Sequence, residues 1–171
     1  KNKLKTFFGS TRCKLISINQ NLIDKIWDGK KDNSLKKFFT LPKNAVGQSY
    51  KSKINKLIRI INKKKADLQF ITASENVAWL LNIRGKDSSF SPIPNSYLII
   101  ESEKKINFFC DLRKINSSFK KKLKGIQIID IKKIDLFISK IKDKKVVIDS
   151  SSCSIYFENI INKNNKIIQY L

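Results

Sequence analysis

The sequence predicts an α/β domain in three layers, with a mixed β-sheet flanked by helices. Three observations carry that expectation. From Asp67 onward, short β-branched runs alternate with segments whose apolar residues recur at helical spacing. Two of the runs, Tyr97–Ile100 and Lys105–Cys110, are separated only by the polar turn Glu101–Lys104, so one antiparallel hairpin sits in a sheet otherwise linked through helices. Ahead of them, Ser49 caps an amphipathic stretch in which Tyr50, Ile54, Leu57, Ile58 and Ile61 share one face and lysines occupy the other.

The elements follow in order. Leu15-Ile16-Ser17-Ile18 is a short apolar segment, and Asn21 to Trp27 follow it. From Trp27-Asp28-Gly29 to Pro42 the chain is polar, Lys-rich and without period, as in a linker or wrapping segment. The Ser49 helix stops at Lys63-Lys64-Lys65, where cations suit a helix C-terminus, and Asp67–Thr72 reads as a strand. A short helix carrying Trp79 comes next and ends at Asn82-Ile83-Arg84-Gly85. After the hairpin, Ser117–Lys124 is expected as a helix closed by a left-handed Gly125. Ile126–Ile129 and Lys145–Ile148 are strands on either side of a helix over Lys132–Ile141, with Ile134, Phe137, Ile138 and Ile141 on one face. Ser151–Asn162 reads as a helix and Lys166–Tyr170 as the last strand.

Composition bounds the function. At 171 residues, 41% of them hydrophobic and with 11 Phe, the chain can bury one core. No apolar run approaches the roughly 20 residues that span a bilayer, and no signal region follows the basic N-terminus, so a soluble, cytoplasmic protein is expected. The net charge of +22 raises nucleic-acid binding as an alternative function for a stand-alone basic module. Only Arg12, Arg59, Arg84 and Arg113 are arginines, however, and the lysines are spread over the whole chain among Ile and Asn. A solvated surface, without specific nucleic-acid recognition, fits that pattern better. Cys13, Cys110 and Cys153 lie far apart and read as free thiols. Histidine is absent, which removes the usual zinc ligand and the Ser/His and Cys/His nucleophile pairs. Methionine is absent too, even at position 1, so the chain looks cut from a longer protein.

Three aspartates stand at predicted strand ends: Asp111, Asp130 and Asp149. Neighbouring strand-end carboxylates can chelate Mg²⁺ or Mn²⁺. Each is also followed by a predicted helix or turn whose free N–H groups it can cap, and capping is the simpler expectation. Asn116-Ser117-Ser118 matches a glycosylation sequon without a secretory context. Cys153 has no partner base and reads as a small buried residue.

The stretch Ile71-Thr72-Ala73, Val77 to Gly85 and Asp87, followed by Pro92 and Ser96-Tyr97, closely resembles the second domain of the three-domain aminopeptidase P (Xaa-Pro aminopeptidase) family. Upstream, Asn21 to Trp27 resembles that family's exit from its first domain, and Gly47 and Ser49 also match. Ser74 and Glu75 depart from the family's usual Leu and Asp. The resemblance implies a creatinase/prolidase N-terminal domain with a ribonuclease H-like core. It places residues 1–20 as the tail of a preceding similar domain, 21–48 as the connection and 49–171 as the second domain, with the catalytic domain expected after 171. In that family a third domain holds two divalent metal ions, typically Mn²⁺, and removes the residue ahead of proline. No catalytic residue, metal ligand or cofactor is therefore expected in this chain. Its implied partners are the peptidase domain of the same polypeptide, the peptide substrate and a second copy in a homodimer, and no membrane.

The candidate contacts to cleft or domain are Asn82, Arg84, Gly85, Asp87 and Phe90. Gly85 allows a sharp turn that holds the Arg84 guanidinium at the domain edge. Two roles stay open at this point: an Arg84–Asp87 pair that fixes the loop, or contact with substrate or catalytic domain. Trp79, in its apolar run, is expected to be buried against the sheet, and Trp79→Ala to cost about 3–5 kcal/mol.

Overall fold

In the computed structural model, residues 2–14, 16, 18, 21–27 and 35–169 are described, and the chain forms two compact units, 1–33 and 34–171. The first unit contains helix α1 (Asn2–Phe8) and helix α2 (Leu22–Ile26), the latter capped by Asn21, whose side chain accepts from the Ile23 N–H. Leu15 and Ser17 of the apolar segment, residues 28–34 of the connection, and Tyr170 lie outside the described residues.

The second unit is built on a six-stranded mixed sheet. Its strands are β2 (Leu68–Ile71), β4 (Ser96–Glu101), β5 (Ile106–Cys110), β6 (Gln127–Asp130), β7 (Lys145–Ile148) and β8 (Lys166–Gln169), in the order β6-β5-β4-β2-β7-β8. Strand β4 is antiparallel to both neighbours, and the other pairs are parallel. The expected hairpin is thus the one reversal in an otherwise parallel sheet. Because side chains alternate along a strand, each strand feeds two cores. Leu98, Ile100, Phe108 and Val147 face one side. There they meet α3 (Tyr50–Lys63), α4 (Ser74–Leu81) and α5 (Ser117–Lys122) through Ile54, Ile58, Leu80 and Phe119. Phe70, Ile99, Phe109 and Ile148 face the other. They pack on α6 (Ile134–Ser139) and α7 (Ile155–Asn162) through Ile138, Phe157 and Ile161. The three layers predicted from the alternation are therefore present.

The caps are local chemistry. Ser49, Asn116 and Ser154 each accept an N–H from the first turn of α3, α5 and α7, so the sequon asparagine is a helix cap. Gly125 takes the left-handed conformation at φ 86°, as expected after α5. A second, two-stranded sheet was not foreseen: β1 (Phe39–Thr40) pairs antiparallel with β3 (Ile83–Arg84). With the fully buried Phe38 in the first core and its N–H donated to the Lys114 carbonyl, the 35–48 stretch packs as part of this unit.

Candidate functional site

Helix α4 and the loop after it carry every residue singled out for contact. The helix starts at Ser74, whose Oγ donates to the Ser96 carbonyl at 3.2 Å and accepts the Ser96 N–H, tying it to the first residue of β4. Glu75 in its first turn complements the helix dipole. Asn82 ends it in the left-handed region, at φ 55°, so asparagine and not Gly85 makes the turn. The Asn82 side chain accepts from Lys53 Nζ at 2.6 Å and donates to the Gln48 carbonyl at 2.9 Å, while its own carbonyl accepts the Leu41 N–H. One residue thereby joins α4 to α3 and to the segment ahead of it.

Gly85 has a different reason to be glycine. A Cβ there would lie 2.7 Å from Pro94 Cα, and the Gly85 N–H reaches the Pro92 carbonyl at 3.0 Å. It permits close approach of two backbone segments.

Trp79 corrects the expectation of burial. It is 61% exposed, because Val77, Leu80 and Leu81 turn the inner face of α4 to the core and leave the indole outside. Its ring lies under Lys53 Nζ at 4.2 Å, and its carbonyl accepts from the same ammonium at 2.5 Å. Burial, and secondarily the charge of Arg84, lowers the Lys53 pKa from its ordinary value.

The Arg84–Asp87 pair does not form. Arg84 Nη1 instead donates to the carbonyls of Ile83 at 2.8 Å and Ala78 at 3.4 Å. Asp87 turns inward to Lys114 Nζ at 2.5 Å, with both side chains almost fully buried, and its other oxygen accepts the Asn95 N–H at 2.7 Å. Lys114 is the residue that sequence reasoning missed. It lies in the short 3-10 turn after β5, and no local pattern separates it from its neighbouring cations. The loop between Asp87 and Asn95 is thus pinned at both ends, and Phe90 at its tip is fully exposed.

The three strand-end aspartates behave as caps. Asp111, Asp130 and Asp149 accept the N–H of Arg113, Lys132 and Ser151. The Arg113 side chain holds the Asp111 carboxyl below its usual range, and the Ser151 hydroxyl does the same for Asp149. Among the described residues no three His, Cys, Asp or Glu converge as metal ligands. Burial pushes the thiols of Cys110 and Cys153 up to about 12 and about 11, which leaves them protonated.

The sequence of residues 29–170 matches the Creatinase/Prolidase N-terminal domain family. The chain belongs to that family. Its creatinase-type fold is similar to that of the X-prolyl aminopeptidase from Caenorhabditis elegans, described as a cytosolic enzyme with a di-nuclear active site. That likeness has a TM-score of 0.84 at 22% identity, over 99% of this chain and 29% of that one. An isolated creatinase/prolidase-like N-terminal domain of a putative metallopeptidase from Corynebacterium diphtheriae gives a TM-score of 0.52 at 16% identity, over 71% of this chain and 98% of that one. In sequence, this creatinase-type chain is 33% identical to Xaa-Pro aminopeptidase 1 of Dictyostelium discoideum over 165 residues, and 30% identical to Xaa-Pro aminopeptidase ApepP of Drosophila melanogaster over 172. It spans 26% and 28% of the lengths of those relatives.

Proposed function

We propose that this chain is a non-catalytic domain of an Xaa-Pro aminopeptidase, packing on the metallopeptidase domain of the same polypeptide and shaping its cleft for peptides with proline at the second position. The family match and the two aminopeptidase relatives support the parent activity. The observation that carries the cleft-shaping role is the exposed Phe90 on a loop clamped by a buried ion pair. Fixing the two ends of the loop lowers the ordering cost of presenting a large apolar side chain to a partner. Arg84 stands half-buried at the start of the same loop, and Asn82 and Gly85 set the loop's path. Residues 1–20 are assigned to the end of a preceding domain and 21–48 to the connection, whose 35–48 stretch packs as part of the second unit.

The described residues do not fit a two-metal centre, since the aspartates serve as caps and histidine is absent. The two divalent ions, Mn²⁺ by family resemblance, are assigned to the peptidase domain of the parent, and a cytoplasmic homodimer is its proposed state. The di-nuclear, cytosolic C. elegans enzyme is consistent with both metal count and compartment.

The test is made in the full-length parent. Arg84→Ala and Phe90→Ser are each expected to lower kcat/KM for an Xaa-Pro peptide about tenfold, roughly 1.4 kcal/mol in the transition state. Tm should move by less than about 2 °C, because neither change opens a buried cavity. Unaltered kinetics in both variants would remove the cleft-shaping role and leave the loop as structure.

A further inference from the structure

A second site stands apart from the Phe90 loop, at the carboxyl ends of β2 and β7. These strands are parallel neighbours, with Gln69 opposite Val147. The chain leaves β2 into α4, which packs on the first core, and leaves β7 into α7, which packs on the second. Adjacent parallel strands whose exits pass to opposite faces open a crevice at their carboxyl ends, where open α/β sheets take ligands. The two exits are tied across by Thr72 Oγ1 and Ser152 Oγ, 3.1 Å apart.

The crevice is a groove of about 430 Å³ lined by residues of α3, α4, β2 and the turn after β7. That volume suits a small ligand or short peptide. Its apolar side is formed by Leu57, Ile60, Ile71 and the Trp79 indole, of which Ile60 and Trp79 are exposed. Gln69, on the floor, is 8% exposed, and its Oε1 accepts no hydrogen bond among the described residues. A buried carbonyl left in that state favours a ligand N–H. On the rim, Lys56 Nζ makes, among the described residues, only a long 3.4 Å contact with Gln48 Oε1, whereas the Lys53 ammonium is already engaged by Trp79 and Asn82. Asp149, its carboxylate engaged by Ser151 and Ser152, lines the groove from the β7 side.

One available ammonium suits a single carboxylate and not a polyphosphate, which needs several cations. We infer that this groove binds a short peptide with a free carboxylate and an apolar residue: the side chain packs on Trp79 and Leu57, the carboxylate meets Lys56, and an amino or peptide N–H reaches Gln69 Oε1 near Asp149.

Calorimetric titration of the 171-residue chain with L-leucyl-L-leucine tests it, with indole emission as a second readout. Saturable binding is expected, with an emission change that Trp27→Phe retains and Trp79→Phe loses. Lys56→Gln, on the solvent side of α3, should weaken binding about tenfold, as expected for a lost hydrogen bond to a charged group. N-acetyl-leucyl-leucinamide, which has no free carboxylate or amine, should lose at least as much. Absence of saturable heat up to the dipeptide's solubility limit would overturn the proposal. So would wild-type affinity in both Lys56→Gln and Gln69→Leu.

Discussion

Trp79 and Asp87 show how far a side chain's role depends on what its neighbours leave open. In a helix, residues two apart point to nearly opposite sides, so once Val77 and Leu81 face the core, Trp79 must face out. Helical period alone holds that information, although an apolar run invites the contrary inference. Trp79→Ala should therefore cost about 1 kcal/mol, mainly the contact with Lys53, in place of the 3–5 kcal/mol of a buried indole. Urea denaturation measures the difference, and a loss above about 3 kcal/mol would mean that the indole is buried. Asp87 is the opposite case. Removing one charge of a fully buried pair leaves the other uncompensated, so Asp87→Asn should destabilise by about 3–5 kcal/mol. The double variant Asp87→Leu/Lys114→Met should recover part of that loss by denaturant midpoint. No recovery would show that the pair's geometry, and not its orphaned charge, sets the cost.

At the level of elements, the ends of strands and helices are governed by short-range hydrogen bonding. Asp111 sits where β5 gives way to a 3-10 turn and accepts from Arg113 through both backbone and guanidinium. Replacing it with Ala should cost about 1 kcal/mol at neutral pH. The carboxyls of Asp111 and Asp149 are lowered by their donors. Their contribution is therefore complete above the ordinary carboxylate range and is lost as pH falls through the lowered values. An acid titration of stability should show a limb below the ordinary carboxylate range that is shallower in Asp111→Ala. An identical limb in that variant would assign the acid sensitivity to other carboxylates. The same short range explains which elements were legible. Ser49, Gly125 and the 101–104 turn announce themselves within a few residues, whereas β1 and β3 are two residues long and have no period to read.

For the molecule as a whole, the sheet gathers the carboxyl ends of five parallel strands on one edge, yet the aspartates found there are consumed as caps. The isolated 171-residue chain should therefore show no hydrolysis of an Xaa-Pro peptide with Mn²⁺, Zn²⁺ or Co²⁺. Chelator-sensitive hydrolysis by the pure chain would contradict this expectation. The exposed Phe90 and the Trp79 groove lie on a unit whose cores are already closed, so their apolar surface is available to partners and not needed for folding.

Period and composition alone carried the α/β alternation, the single hairpin, the amphipathic α3, the Ser49 and Gly125 caps and the capping aspartates, but not the Asn116 and Ser154 caps. Each depends on residues within one or two turns of each other, where backbone geometry dictates which side chains share a face. The residues around Trp79 also carried the family resemblance. The assignment of partners was decided in three dimensions. Lys53 and Lys114 look like any other lysine in a chain of net charge +22, and their burial depends on Asn82 and Asp87, 29 and 27 residues away. A buried cation is stable only where a distant acceptor is brought to it, and that meeting follows from the packing of α3, α4 and β5 around one sheet. For the same reason Gly85 could be recognised as special from sequence, but the cause, Pro94 against its α-carbon, required the folded chain.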